Sequence, residues 1–220
     1  MGVFKKRFGK TSAKESTNMA NVKLAIVYYS STGTNYRMAQ WAEAAAQEAG
    51  AEVKLLKVPE LAPEQAIAAN PVWKEHYEAT KDVPVATSDD LEWADAIIFS
   101  APTRFGTLAA QMKQFIDTQG GIWGAGKTVN KVVSGMTSAQ NSHGGQEATL
   151  LSLYVNMMHW GAIIATPGYS DASVFAGGGN PYGASVSVDQ DNNMVEDVEG
   201  AIKHQARRTV DVASRIVEGS

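Results

Sequence analysis

Five short apolar runs, each set off from the next by a helical pattern or a long connection, constrain this chain more than anything else in it. They fall at residues 23–29 (KLAIVYY), 53–58, 94–100 (ADAIIFS), 131–136 (KVVSGM) and 162–165. Runs of this length and composition suit strands buried on both faces. Strands that alternate with helices predict a parallel sheet whose right-handed crossovers cover both sides. The expected fold class is α/β, a doubly wound five-stranded parallel sheet in the order 2-1-3-4-5. In such a sheet ligands bind beyond the strand C-termini, at the switch point between strands 1 and 3.

The segments between the runs agree with this reading. Met38, Trp41, Ala42, Ala45 and Ala49 share one helix face, and Gly50 follows as a C′ glycine. Leu108, Met112, Phe115 and Ile116 trace a helix over 108–118. Leu150, Leu151, Tyr154 and Met158 form a stripe on a helix over 147–160. A closing helix is expected over 196–217. It has Glu196, Asp197 and Glu199 at its start and Arg207, Arg208 and Arg215 towards its end, matching the helix dipole. Residues 59–90 carry Pro59, Pro63, Pro71 and Pro84 and show no clear period. Residues 167–192 are rich in Gly, Asn, Pro and Ser and read as a long loop.

A chain of 220 residues suits one such domain with a sizeable core. Its net charge of -4 gives no reason to expect nucleic acid or an anionic membrane as a partner. The absence of cysteine removes disulfides, thiolate metal sites, iron–sulfur clusters and cysteine nucleophiles, and agrees with a cytoplasmic location. No apolar run approaches the roughly 18 residues of a membrane span. Residues 1–20 are basic and polar and lack the apolar stretch of a secretory signal. They are expected to be a disordered extension, leaving 21–220 as the domain.

Three strand-end loops carry the candidate chemistry. Ser30, Ser31, Thr32, Gly33, Thr34 and Asn35 follow the first strand and open a helix. Backbone amides at a helix N-terminus, joined by four hydroxyls, suit an anion. The loop has no Lys or Arg, which fits a cofactor phosphate held by neutral donors; an ordinary Ser/Thr cap with a turn glycine fits equally well. After the third strand, Pro102 is expected to set a turn that presents Thr103, Arg104 and Phe105. Arg104 could donate to an electron-rich ring edge and Phe105 could pack on it, or Thr103 could simply cap the next helix. After the fourth strand, Ser138, Ala139, Gln140, Asn141, Ser142, His143 and Gly144 could embrace a flat heterocycle. Convergence of the three loops on one crevice is stronger evidence than any one of them.

Gly121 to Thr128 fits the P-loop pattern G-x-x-x-x-G-K-[ST], but here a helix precedes it and a strand follows, the reverse of a working P-loop. A Gly-rich connection displaying Trp123 is the expected reading, with the indole either stacking on an aromatic substrate or anchoring the packing. No metal-ligand spacing, no G-x-S-x-G elbow and no G-x-G-x-x-G after the first strand occurs. His159, at a helix end, suits the dipole; His143 could reach a ligand; His76 and His204 read as solvated positions.

The motifs YYSSTGTNYRMA (28–39), AIIFSAPTRFG (96–106), MKQFIDTQGGIW (112–123), GGQEATL (144–150) and NPYGAS (180–185) occur in this order. Together they resemble the WrbA family of NAD(P)H:quinone oxidoreductases, flavodoxin-like FMN proteins, over about residues 22–217. The resemblance implies that Ser30 to Asn35 bind the FMN phosphate. It implies that Thr103, Arg104 and Phe105, beside Pro102, line the isoalloxazine, and that Ser138 to Gly144 follow its polar edge. His159 would contact the flavin of a neighbouring subunit, Trp123 would line the substrate pocket, and Thr32 would meet the nicotinamide. The chain departs from the family at Gly33-Thr34-Asn35, where many members read Gly-His-Ile or Gly-His-Thr. Thr32 replaces a bulkier residue, and SAQNSHGG replaces Ser-Thr-Gly-Thr-Gly-Gly in the loop after the fourth strand.

On this resemblance the flavin carries the redox chemistry and no side chain need be catalytic. NADH or NADPH would give hydride and a quinone would take two electrons in the same slot, by ping-pong kinetics. A flavodoxin-type electron carrier and a non-catalytic flavin-binding module are the alternatives. Trp123, Phe175 and Tyr182, on the Gly-rich segments 120–130 and 167–192, are costly to expose and support a homo-oligomer; the family implies a tetramer.

Overall fold

The first apolar run forms β1 (Lys23–Tyr28), and the helix after it, α1 (Thr34–Glu48), returns the chain to β2 (Glu52–Lys57). These belong to a computed structural model that describes residues 21–219; the expectation for residues 1–20 lies outside them. The chain continues through α2 (Glu64–Ala68), α3 (Pro71–Ala79) and α4 (Ser88–Trp93) to β3 (Ala96–Arg104) and the short β4 (Thr107–Leu108). Then come α5 (Ala110–Asp117), α6 (Gly120–Gly124), β5 (Val132–Ala139), α7 (Gln146–His159) and β6 (Ile163–Ile164). The last elements are α8 (Ala172–Ala176), β7 (Ser185–Ser187) and α9 (Glu199–Glu218).

The sheet runs β2-β1-β3-β5-β6, all parallel. With the stub β4 set aside, this is the expected order of the five expected strands. Alternation along β1 and β3 divides the core. Leu24, Ile26, Tyr28 and Ile98 face Met38, Ala42, Ile202 and Val210 on one side. Ala25, Val27, Ile97 and Phe99 face Leu91, Met112, Leu153 and Met157 on the other. Among the described residues no helix is long and apolar enough to cross a membrane.

Several sequence expectations need correction. The fifth position is split: β6 pairs with the start of β5 at Val132 and Val133, and β7 pairs with its end at Thr137, Ser138 and Ala139. Strand β7 therefore lies inside the segment read as one long loop. Residues 59–93 hold three helices of 5, 9 and 6 residues, each too short to display a period. Their caps were legible: Asn70 Oδ1 accepts from Trp73 N–H at 3.1 Å, and Thr87 with Asp90 forms a capping box. Leu151 and Met158 do not join Leu150 and Tyr154 in the core. The buried stripe of α7 is Leu150, Leu153, Tyr154 and Met157, and Leu151, Val155 and Met158 form a second, exposed one. Both stripes have helical spacing, so periodicity alone could not choose.

Helix α9 begins at Glu199, and Glu196 instead accepts from Ser187 N–H at 2.6 Å. Arg207 pairs with Glu48 and Arg208 donates to the Thr166 carbonyl, so neither serves the helix dipole. His76 and His204 are half-buried rather than solvated. His76 packs on the Tyr36 ring at 5.6 Å, and His204 Nε2 lies 2.8 Å from Ser170 Oγ.

Candidate functional site

The loop after β1 turns at Gly33, whose φ of 96° is left-handed and suits only glycine. Gly33 N–H donates to Ser30 Oγ at 3.0 Å, and the helical ladder starts with Arg37 N–H to the Gly33 carbonyl at 2.9 Å. No side chain caps α1, so its opening amides are left for an outside acceptor. Asn35 is buried, and its amide binds protein on both sides. Nδ2 donates to Ser100 Oγ at 3.2 Å, and Oδ1 accepts from Ser138 Oγ at 2.6 Å. One side chain thus ties the start of α1 to β3 and β5. Asn35 and Ser138 were expected as ligand groups; the structure commits them first to each other.

Pro102 does not set a turn. It lies within β3 opposite Ser138. The Ser100 carbonyl accepts from Tyr29 N–H at 2.9 Å, so residue 102, two positions on, faces the same edge beyond the end of β1. Its missing N–H cannot donate to the Tyr29 carbonyl, so the β1–β3 ladder ends there. The turn is at Phe105 and Gly106, with φ of 51° and 81°, between the paired Arg104 and Thr107. Two left-handed residues make this a tight hairpin of the I′ kind. Phe105 is strained as a non-glycine in that position and fully exposed at its tip. Arg104 donates to Ser31 Oγ at 3.3 Å, linking the hairpin to the first loop.

The loop after β5 packs against this hairpin through glycines. A Cβ on Gly145, at φ 89°, would fall 2.6 Å from Gly106 Cα, and one on Gly144 would fall 2.4 Å from Ala139 Cβ. Thr103 Oγ1 donates to the Gly144 carbonyl at 3.2 Å and accepts from Thr149 Oγ1 at 2.7 Å.

These loops enclose a crevice of about 640 Å³. Its walls include Ser30, Ser31, Thr32, Thr34, Asn35, Pro102, Thr103, Arg104, Phe105, Ser138, Ala139, Gln140, Asn141 and Gly144. Gly33 lines an adjoining groove. Ser142 and His143 are exposed on the loop and do not line the crevice. Within one chain, Trp123 and His159 lie elsewhere, together beside a hollow of about 250 Å³, where the Trp123 indole N–H donates to the His159 carbonyl at 2.9 Å. The P-loop-like stretch holds no anion site: Thr128 is buried and donates to the Trp160 carbonyl at 2.8 Å, and Lys127 pairs with Glu92.

Sequence reasoning missed a fourth wall, formed by Val188, Asp189, Gln190 and Asn192, with Asn70 and Val72 at the rim. Asn192 Nδ2 donates to the Thr32 carbonyl at 2.8 Å, and Thr32 Oγ1 donates to Asn192 Oδ1 at 2.7 Å. The run Asp189-Gln190-Asp191-Asn192-Asn193 was a readable turn signal: Asp189 Oδ1 accepts from the amides of Asp191 and Asn193. Its place against Thr32 depends on β7, which had no signal of its own.

Residues 22–173 match the model of the NADPH-dependent FMN reductase family, a span that takes in the three loops first read as the site. The chain belongs to this family. Within it, the chain is 56% identical over 198 residues to an NAD(P)H dehydrogenase (quinone) of Deinococcus radiodurans, covering 90% of this chain and 98% of that one. It is 40% identical over 206 residues to an NAD(P)H dehydrogenase (quinone) of Aromatoleum aromaticum, covering 90% and 99%. Among solved structures, a flavodoxin, WrbA-like protein from Agrobacterium tumefaciens aligns with a TM-score of 0.58 at 23% identity, covering 88% of this chain and 98% of that one. That likeness establishes the flavodoxin-like fold of this FMN reductase family member.

Proposed function

We propose that this protein is an FMN-dependent NAD(P)H:quinone oxidoreductase that reduces quinones by two electrons to hydroquinones. The observation that carries the reading is one polar crevice at the switch point of the sheet, walled by three loops whose positions are interlocked through Asn35, Gly106 and Gly145. Its volume of about 640 Å³ lies within the range of roughly 300–1,000 Å³ usual for cofactor sites. The donor set fits a singly phosphorylated, flat ring system. Uncapped amides and hydroxyls at the start of α1 would hold the phosphate. The Thr103–Arg104–Phe105 hairpin and the Ser138 to Gly144 loop would flank the ring, with Ser142 and His143 shaping the turn from outside. FMN held there would supply the two-electron redox chemistry that links NADH or NADPH to the quinone.

The protein's own part is to bind, orient and exclude. Thr32, fixed by Asn192, would border the nicotinamide and quinone slot. Trp123 and His159 would reach a neighbouring subunit's crevice in a homotetramer formed through the exposed α7 stripe. The proposal places this assembly in the cytoplasm.

The test is a visible spectrum of purified protein with FMN, followed by anaerobic titration with NADH or NADPH and reoxidation by benzoquinone. Bound yellow flavin, bleached by the nicotinamide and restored by the quinone, is the expected result. Protein that stays colourless with FMN would sink the reading.

A further inference from the structure

The first loop contains no lysine or arginine, yet an ionisable ring stands directly behind it. His76 comes from α3, in the crossover that shows no period in the sequence. A Cβ placed on Gly33 would lie 3.6 Å from His76 Nδ1, so the imidazole backs the turn whose amides open α1. Its ring packs on Tyr36 at 5.6 Å, and Tyr36 packs on Tyr28 at 5.0 Å, which fixes the imidazole against the loop. Below it lies a small cavity of about 40 Å³, bordered by Tyr28, Ser30, Lys57, His76 and Thr80.

We propose that His76 is the charge-matching wall of the phosphate loop, taking up a proton when a phosphorylated flavin binds and so distinguishing FMN from the unphosphorylated flavin. This rests on the FMN reading of the crevice.

The groups around His76 support the assignment. From β2, Lys57 faces it, with its ammonium held by the Thr80 and Lys81 carbonyls. Asp82 favours the charged form of Lys57. From β1, the Tyr28 hydroxyl is buried without a hydrogen-bond partner, and from α1 comes the Tyr36 ring. Glu60, on the cavity rim, is taken up by the Tyr29 hydroxyl and the Gln111 amide. On α3 itself, Tyr77 is the ionisable neighbour that borders the same cavity. On the crevice side stands Arg104, bound to Ser31, and Arg37 lines the adjoining groove with Gly33.

In the free protein burial, then Lys57, push His76 below the ordinary imidazole value, while a hydrogen bond to the Ser30 backbone opposes them. The ring is therefore poised neutral near pH 7. A phosphate dianion on the other side of Gly33 favours the imidazolium, and linkage makes the effect reciprocal: whatever raises proton affinity on binding raises FMN affinity as the pH falls.

The experiment is flavin-fluorescence titration of FMN and riboflavin at about pH 8.5 and about pH 6.5, a range above the phosphate's own second pKa near 6. Wild-type protein should bind FMN about two- to threefold more tightly at the lower pH, the change expected for a bound-state rise of about one pH unit from a ring still neutral at that pH in the free protein, while riboflavin affinity stays level. His76→Gln and the ring-retaining His76→Phe should remove the FMN slope. A direct readout needs no variant: the His76 ring-proton NMR titration midpoint should rise with FMN and stay put with riboflavin. An immobile midpoint, or an FMN slope that survives in His76→Gln, would overturn the proposal while leaving the flavin reading intact. Failure of the wild type to bind either flavin would remove that reading and this one with it.

Discussion

At the residue scale, the crevice depends on a few side chains whose work is internal. Asn35 bonds two buried serines; Asn35→Ala leaves the Ser138 hydroxyl without its acceptor, while Ser100 keeps its bond to the residue-35 backbone carbonyl. We expect a loss of about 1–3 kcal/mol, read as a fall of several degrees in the thermal midpoint. An unchanged midpoint would show that the serines repair each other. Gly145 is the other such position. Gly145→Ala combines a left-handed backbone with a contact of 2.6 Å against Gly106, so the Phe105 hairpin must move. The expected result is about tenfold weaker FMN binding with a modest loss of stability, checked by fluorescence titration and melting. Tight flavin binding by that variant would mean that the hairpin does not shape the site.

At the element scale, α7 has two apolar stripes and one core to fill. Leu150, Leu153, Tyr154 and Met157 pack beneath it, while Val155 at 54% and Met158 at 65% exposure remain outside; the half-exposed Trp123 meets the end of the same helix at the His159 carbonyl. On the proposed tetramer, a double Val155→Lys, Met158→Lys variant is expected to sediment as a monomer and keep its circular dichroism spectrum. Persistence of a larger species would place the subunit contact elsewhere. The split fifth strand depends on a different device. Gln205 from α9 donates to Ser134 Oγ and the Gly135 carbonyl and accepts from Ala184 N–H, holding β5 and the approach to β7 together in the core. Gln205→Leu strips all three, and should cost about 3 kcal/mol in urea unfolding.

At the scale of the whole molecule, the segment inserted between β6 and β7 returns to the body at His204. Burial holds His204 below the ordinary imidazole value, against the pull of Asp171, with Arg208 and Arg207 adding to the depression. The unfolded chain therefore takes up this proton first as the pH falls. Stability is full above the ordinary imidazole range and declines as the pH drops through it towards the lower folded value; His76 has the same sign. Between about pH 7.5 and about pH 5.5 the urea midpoint of the wild type should fall more steeply than that of His204→Gln. Equal slopes would remove His204 from the account. Local pattern determined what was local: strand-length apolar runs, a turn glycine at Gly33, and hence the sheet order and the rim proposed to bind a ligand. Hydrogen-bond partners and burial are set by residues far apart in the chain. Only the tertiary structure could decide that Asn35 faces Ser138, that His76 backs Gly33, that Asn192 closes on Thr32, and which stripe of α7 meets the core. Helical and strand periods report the direction a side chain leaves its own backbone, whereas a site is made by what arrives from the other direction.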